Sequence, residues 1–128
     1  MVIAFAGGCL DAAMRQVNVP TQAQLADIAK APVFTGTIDR GHLVKGYGFS
    51  HMGMWIEVVA DNGGKNEFYI RDSSVIVGAD GKYMAWGNMR GEVGKKVEIR
   101  YSTITDATGG LERFENGRNG VLAMRFLN

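Results

Sequence analysis

The chain has 128 residues, and its 14 Lys and Arg against 13 Asp and Glu leave a formal net charge of +1. That length fits one domain, and a hydrophobic share of 46% supplies a core for it. From Val33 onward the count is 12 basic against 11 acidic residues, which argues against the broad cationic surface that holds nucleic-acid phosphates.

In chain order, the first feature is the apolar run Met1–Ala6 followed by Gly7, Gly8 and Cys9. This run resembles the end of a bacterial lipoprotein signal, in which the cysteine thiol becomes lipidated. Ala6 stands where that pattern prefers Leu, and no basic stretch precedes the run. The resemblance implies a lipid anchor at Cys9 and a place in the cell envelope, on the periplasmic side. Without processing at Cys9, the expected location is the cytoplasm. After Pro20, Thr21 is a suitable N-cap for a helix over 22–30, and Pro32 stops it. Leu25 and Ile28 lie three apart on one face, so this helix is expected to cover one end of the following domain or to act as a tether. Residues 1–32 therefore read as an N-terminal segment and 33–128 as the domain.

The remainder reads as strands. Phe34, Gly36 and Ile38 alternate with Thr35 and Thr37. Met54, Ile56 and Val58 alternate with Trp55, Glu57 and Val59, and 61–64 (Asp-Asn-Gly-Gly) signals a hairpin. The strand over 66–71 turns Phe68 and Ile70 inward, and Val75–Val77 continues it or pairs nearby. Tyr83–Met89 reads as a helical turn or loop crossing the barrel end, its Tyr83-Met84-Ala85-Trp86 cluster a plug for that end or the wall of a small pocket. Val97, Ile99 and Tyr101 alternate with Glu98 and Arg100. A polar, turn-rich stretch over 105–120 then precedes a last strand with Leu122, Met124 and Phe126 on one face. Sixteen of the 18 glycines lie from Val33 onward, whereas both prolines precede it, as suits short strands with tight turns and unbroken ladders. The fold class expected is all-β: a small five-stranded OB-fold-like barrel with a short N-terminal helix. A β-sandwich or an SH3-like barrel is the rival.

Lys45-Gly46-Tyr47-Gly48-Phe49 carries the chain's most specific motif. It resembles the RNA-binding signature of cold-shock domains, small OB-fold proteins whose strand aromatics stack on bases. Gly36-Thr37-Ile38 before it, Gly63–Phe68 and Gly94–Val97 after it are similar to further pieces of that family in the same order. Ser50-His51-Met52 departs from the family's continuation, and Ile70 or Arg71 stands near its second-motif histidine. The resemblance implies base stacking by Tyr47, Phe49 and Phe68 beside Lys45 and Arg71, each stacked base worth roughly 1–3 kcal/mol. The other reading of the same glycine–aromatic alternation is a bent barrel strand with its rings in the core.

No catalytic constellation emerges. His42 and His51 flank the motif without an identifiable nucleophile or partnered carboxylate, and read as surface residues. Asp61, Asp72 and Asp80 read as turn formers, and Glu112 and Glu115 as solvated. One cysteine and two histidines allow neither an intrachain disulfide nor a Cys/His metal site, and no cofactor motif is present. The expected function is that of a non-catalytic binding or structural module, not an enzyme. Lys45, Tyr47, Phe49, Trp55, Phe68 and Arg71 are its candidate ligand contacts, and its partner a protein or a small ligand. The membrane is reached only through the anchor at Cys9. The alternative is a single-stranded nucleic-acid binder of cold-shock type.

Overall fold

A computed structural model describes residues 16–45, 52–86 and 92–128, with Lys45 and Met52 described through their backbone. Cys9, Tyr47, Phe49 and His51 lie outside the described residues. Helix α1 (Gln22–Lys30) begins at Thr21, where a full capping box forms: the Thr21 hydroxyl accepts from the Gln24 amide and the Gln24 side chain accepts from the Thr21 amide. Two orphan donors are satisfied reciprocally. Strands β1 (Val33–Lys45), β2 (Met52–Val59) and β3 (Lys65–Ile70) follow, then β4 (Val75–Val77), β5 (Tyr83–Met84), β6 (Lys96–Thr103), the single turn α2 (Glu112–Glu115) and β7 (Asn119–Phe126).

The strands run in the order β3-β2-β1-β6-β7-β4-β5, and a further β3–β7 pairing closes the first five into a ring. That ring, β1-β2-β3-β7-β6, is the small closed barrel expected, OB-like in strand order. β1 makes it possible by serving two neighbours. Val33–Thr37 pairs with β6, and Thr37–Lys45 pairs with β2. At the handover a Cβ on Gly36 would collide with the Val59 carbonyl, so the close crossing requires glycine. The closing seam is thin: β3 and β7 run parallel and pair at Tyr69 and Gly120.

Ile38, Met54, Ile56, Val58, Phe68, Ile70, Val97, Ile99, Val121, Met124 and Phe126 fill the interior, as period-two alternation dictates. Two bulges re-phase that alternation. Between Ile38 and Arg40 the register with β2 slips by one residue, leaving Asp39 over and turning Arg40, His42 and Val44 outward. Opposite the Arg100/Tyr101 step, Leu122 is the extra residue, so Val121 rather than the expected Leu122 joins Met124 and Phe126 inside.

Three further expectations are corrected. Tyr83–Met84 is a strand paired with Ile76 and Val77 of β4 rather than a helical turn; Trp86 just beyond it is fully buried in the core, as a plug would be. α1 lies against the outer side of β6 and β7 rather than over a barrel end. Arg100 reaches the carbonyls of Ala29 and Ala31 at its C-terminus, where a cation is favoured, and Leu25 and Ile28 line an apolar cleft with Val75, Val77, Tyr83 and Ala123. None of its residues is fully buried. Glu115 is the third: it is 1% exposed, not solvated.

Candidate functional site

The outer face of β1–β2–β3 carries a polar and aromatic constellation. Outward positions on the three strands are Arg40, His42 and Val44; Trp55 and Glu57; and Glu67 and Tyr69. The register sets His42 opposite Trp55, Trp55 opposite Tyr69, and Glu57 opposite Glu67. The His42 ring stacks on the Trp55 indole with centroids 4.8 Å apart and planes at 30°. Arg40, two residues earlier, places its guanidinium carbon 5.5 Å from the same ring's centroid, within cation–π range. Trp55 is nearly buried beneath them, while His42 and Arg40 face solvent.

Electrostatics on this face are unusual for a sheet. Glu57 and Glu67 stand directly opposite each other, an arrangement that costs up to about 1 kcal/mol. Arg40 offsets it, reaching one Glu57 carboxylate oxygen with Nε and the other with Nη2, both at 3.5 Å, and Lys65 approaches to 3.9 Å. Glu67 accepts the Trp55 indole N–H at 2.7 Å. The Glu57 side chain is only 11% exposed whereas Arg40 and Lys65 are exposed. The carboxylate is thus fixed within the sheet and its cations reach in from outside, with Oε1 making ion pairs but no hydrogen bond among the described residues.

Toward the far end of β2 and β3 the same face is covered. Val44, Trp55 and Tyr69 pack with Ile104, Ala107 and Leu111 of the segment joining β6 to β7, forming a second apolar cluster outside the barrel. Burial, with Glu67 and Glu115 adding to it against Arg118, raises the Tyr69 hydroxyl pKa. Arg71, just past β3, binds Asp106 at 2.9 Å and Glu115 at 3.3 Å, and these residues with Ser73 and Leu111 line a cleft of ≈ 180 Å³. Burial pushes the Glu115 carboxyl pKa up, and Arg71 only partly counters it.

Of the sequence candidates, Trp55 lies within this constellation and Arg71 at its covered end. Lys45 ends β1, paired through its backbone with Met52, and Tyr47 and Phe49 fall outside the described residues. Phe68 has to be withdrawn as a stacking residue. It is fully enclosed in the barrel, packed on Phe34 and Tyr101, because an even-phase position on β3 faces inward and no base can reach it. Sequence reading missed Arg40, Glu57, Glu67, Tyr69 and Glu115. Alternation along β2 and β3 pointed Glu57, Glu67 and Tyr69 outward together with Trp55, but the Asp39 bulge that brings Arg40 over them left no composition signal. Asp80 does act as a turn former, accepting from the Lys82 amide; in the 61–64 hairpin it is Asn62 that does so, accepting from the Gly64 amide, while Asp61 pairs with Lys96.

The strand order and this face define an OB-like barrel. No family model matches the chain, and no curated protein matches it. Among solved structures it is similar to the crystal structure of the A-subunit of the AB5 toxin from E. coli with Neu5Gc-2,3Gal-1,3GlcNAc, at 14% identity and a TM-score of 0.46, over 76% of this chain and 84% of that one. So slight a likeness bears on neither ligand nor activity, and the barrel assignment rests on the pairing of the strands.

Proposed function

We propose that this protein is a non-catalytic binding module that contacts its ligand, a protein segment or a small molecule, on the outer face of β1–β3 around Arg40, His42 and Trp55. The observation that carries this reading is the exposed His42 ring held at a 30° tilt against Trp55 beside an exposed guanidinium. A ring braced in this way offers a stacking surface whose orientation is fixed before binding, so little side-chain entropy is lost on contact. The exposed Glu67 carboxylate adds an acceptor beside it. To test it, labelled protein is titrated with a set of short peptides and with oligo(dT) of about 15 nucleotides, a length one OB barrel can span. Shifts should gather at Arg40, His42 and the Trp55 indole, and substituting Arg40 and His42 together by Ala should weaken binding about tenfold in a folded protein. Unchanged affinity in that double variant removes the reading.

The single-strand nucleic-acid alternative draws on the same platform, with Arg40 and Lys65 as its phosphate contacts. It requires a gel shift by oligo(dT) that weakens steeply with salt. Attachment to the envelope rests on the Met1–Cys9 run alone. Mass spectrometry of the native protein tests it: a diacylglyceryl group on Cys9 supports the anchor, and an unmodified Met1 overturns it.

A further inference from the structure

The segment between β6 and β7 is built as a separable piece. At its neck the Ile104 amide donates to the Arg118 carbonyl and the Gly117 amide to the Ile104 carbonyl, so the β6–β7 ladder is complete from Thr103 and Asn119 onward without it. Inside the neck the segment satisfies its own backbone: the Ala107 amide donates to the Asn116 side chain, the Leu111 amide to Thr108, and the Glu115 amide to Leu111. Among the described residues it is attached to the barrel in two ways. Ile104, Ala107 and Leu111 pack on Val44, Trp55 and Tyr69, and Arg71 grips both legs through Asp106 and Glu115.

We propose that residues 104–118 form an autoinhibitory cover, latched by Arg71, that opens as a unit about its neck and uncovers the Trp55–Tyr69 face of the barrel. The inference rests on the reading of this strand face as the ligand face, and its test uses no ligand, so either can fail alone. Tyr69, opposite Trp55, continues the His42–Trp55 row across the strands, so opening lengthens the surface a ligand can meet. The latch is also made easy to release. Glu115 is buried with Oε2 lacking a hydrogen bond among the described residues, and it sits against Gly53 of β2, where a Cβ would stand 3.0 Å from that oxygen and 2.9 Å from the Ile70 carbonyl. A buried charge satisfied on one side weakens the closed state.

The groups facing Glu115 are Arg71, Asp72 and Asp106, with Tyr69 beyond them and Arg118 acting on Tyr69. Since burial raises the Glu115 pKa, the closed cover holds a proton more tightly than the open one. Closure is therefore favoured as pH falls through that window and relaxed as it rises.

Native-state hydrogen exchange decides the matter. In the wild-type chain the Ala107, Glu115 and Gly117 amides should exchange through an opening that leaves Ile56 and Ile99 protected, and their protection should be greater at about pH 5.5 than at about pH 8. Arg71→Met should speed exchange of the segment about tenfold while the barrel amides hold within about twofold. Should Arg71→Met fail to fold, Asp106→Asn, which removes one exposed latch partner, should still speed the segment about two- to threefold. Exchange of 104–118 only together with the barrel, or no acceleration in a folded variant, overturns the proposal.

Discussion

The two faces of β2 and β3 serve two cores that are put together differently. Inside the barrel, Ile56 and Phe68 stand opposite each other among residues drawn from all five ring strands, and essentially no solvent reaches them. Outside, Trp55 and Tyr69 stand opposite each other one residue out of phase. Among the described residues their apolar cover comes from the segment joining β6 to β7, which is ion-paired to Arg71. The interior is stabilised by closure of the sheet on itself, so it cannot be opened without loss of the fold. The outer cluster is stabilised by docking, and docking can be reversed locally. One strand pair thus carries a permanent core on one side and a conditional one on the other.

Breaking the inner core should have the largest consequence. Phe68→Ala is expected to cost about 3–5 kcal/mol of global stability, read by denaturant unfolding, and to dissolve both clusters together. Leu111→Ala removes a comparable amount of packing from the outer cluster, yet it should lower global stability by only about 1–2 kcal/mol while making the Trp55 indole markedly more accessible to a neutral quencher. Equal losses in the two variants would erase the distinction between the cores. Gly53→Ala sits at the junction of the two. Its new methyl meets the Ile70 carbonyl and the Glu115 carboxylate, and about 1–2 kcal/mol is expected from overpacking.

Glu115→Gln should act most gently and in the opposite direction. The raised Glu115 pKa means the folded chain binds this proton more tightly than the unfolded one. Stability from this group is therefore greatest below the unfolded value, falls as pH rises through the folded value, and stays lower above it. The neutral amide removes that loss, so the variant's melting temperature should exceed the wild type's at neutral pH and the two should converge in acid. A variant less stable than wild type at neutral pH would mean that the ion pair to Arg71 outweighs the burial of the charge.

How far the sequence announced all this follows from the range of the interactions involved. Local chemistry was legible: Thr21 and Pro32 bracket α1, the glycine turn at 61–64 separates β2 from β3, and Ile56, Phe68, Ile99 and Met124 face inward by simple alternation. What failed depends on partners distant in sequence. Leu122 and Arg40 are displaced by bulges whose need arises from the curvature of a closed barrel, not from their own side chains. Glu115 looked like an ordinary surface carboxylate because the groups it is buried against, Arg71 and Gly53, lie 44 and 62 positions earlier. The site suffered most. Of six candidate contacts, Trp55 and Arg71 are on or beside the face, Phe68 is in the core, and His42, read as a plain surface residue, proves to be the ring that faces outward.

The Asn18 side chain donates to the carbonyls of both Asp72 and Ser74, at 2.6 and 2.8 Å. Ser74 in turn donates from its buried hydroxyl to Val121 and accepts from the Arg71 amide. In mechanical terms, the chain entering from its N-terminal side is clipped to the turn that bears Arg71 before it reaches α1 or β1. A load pulled through Gln16 meets that clip first and strains the 71–74 turn ahead of the barrel's ladders. Force spectroscopy with the handle on the N-terminal side should register this as an early, small extension that Asn18→Ala abolishes.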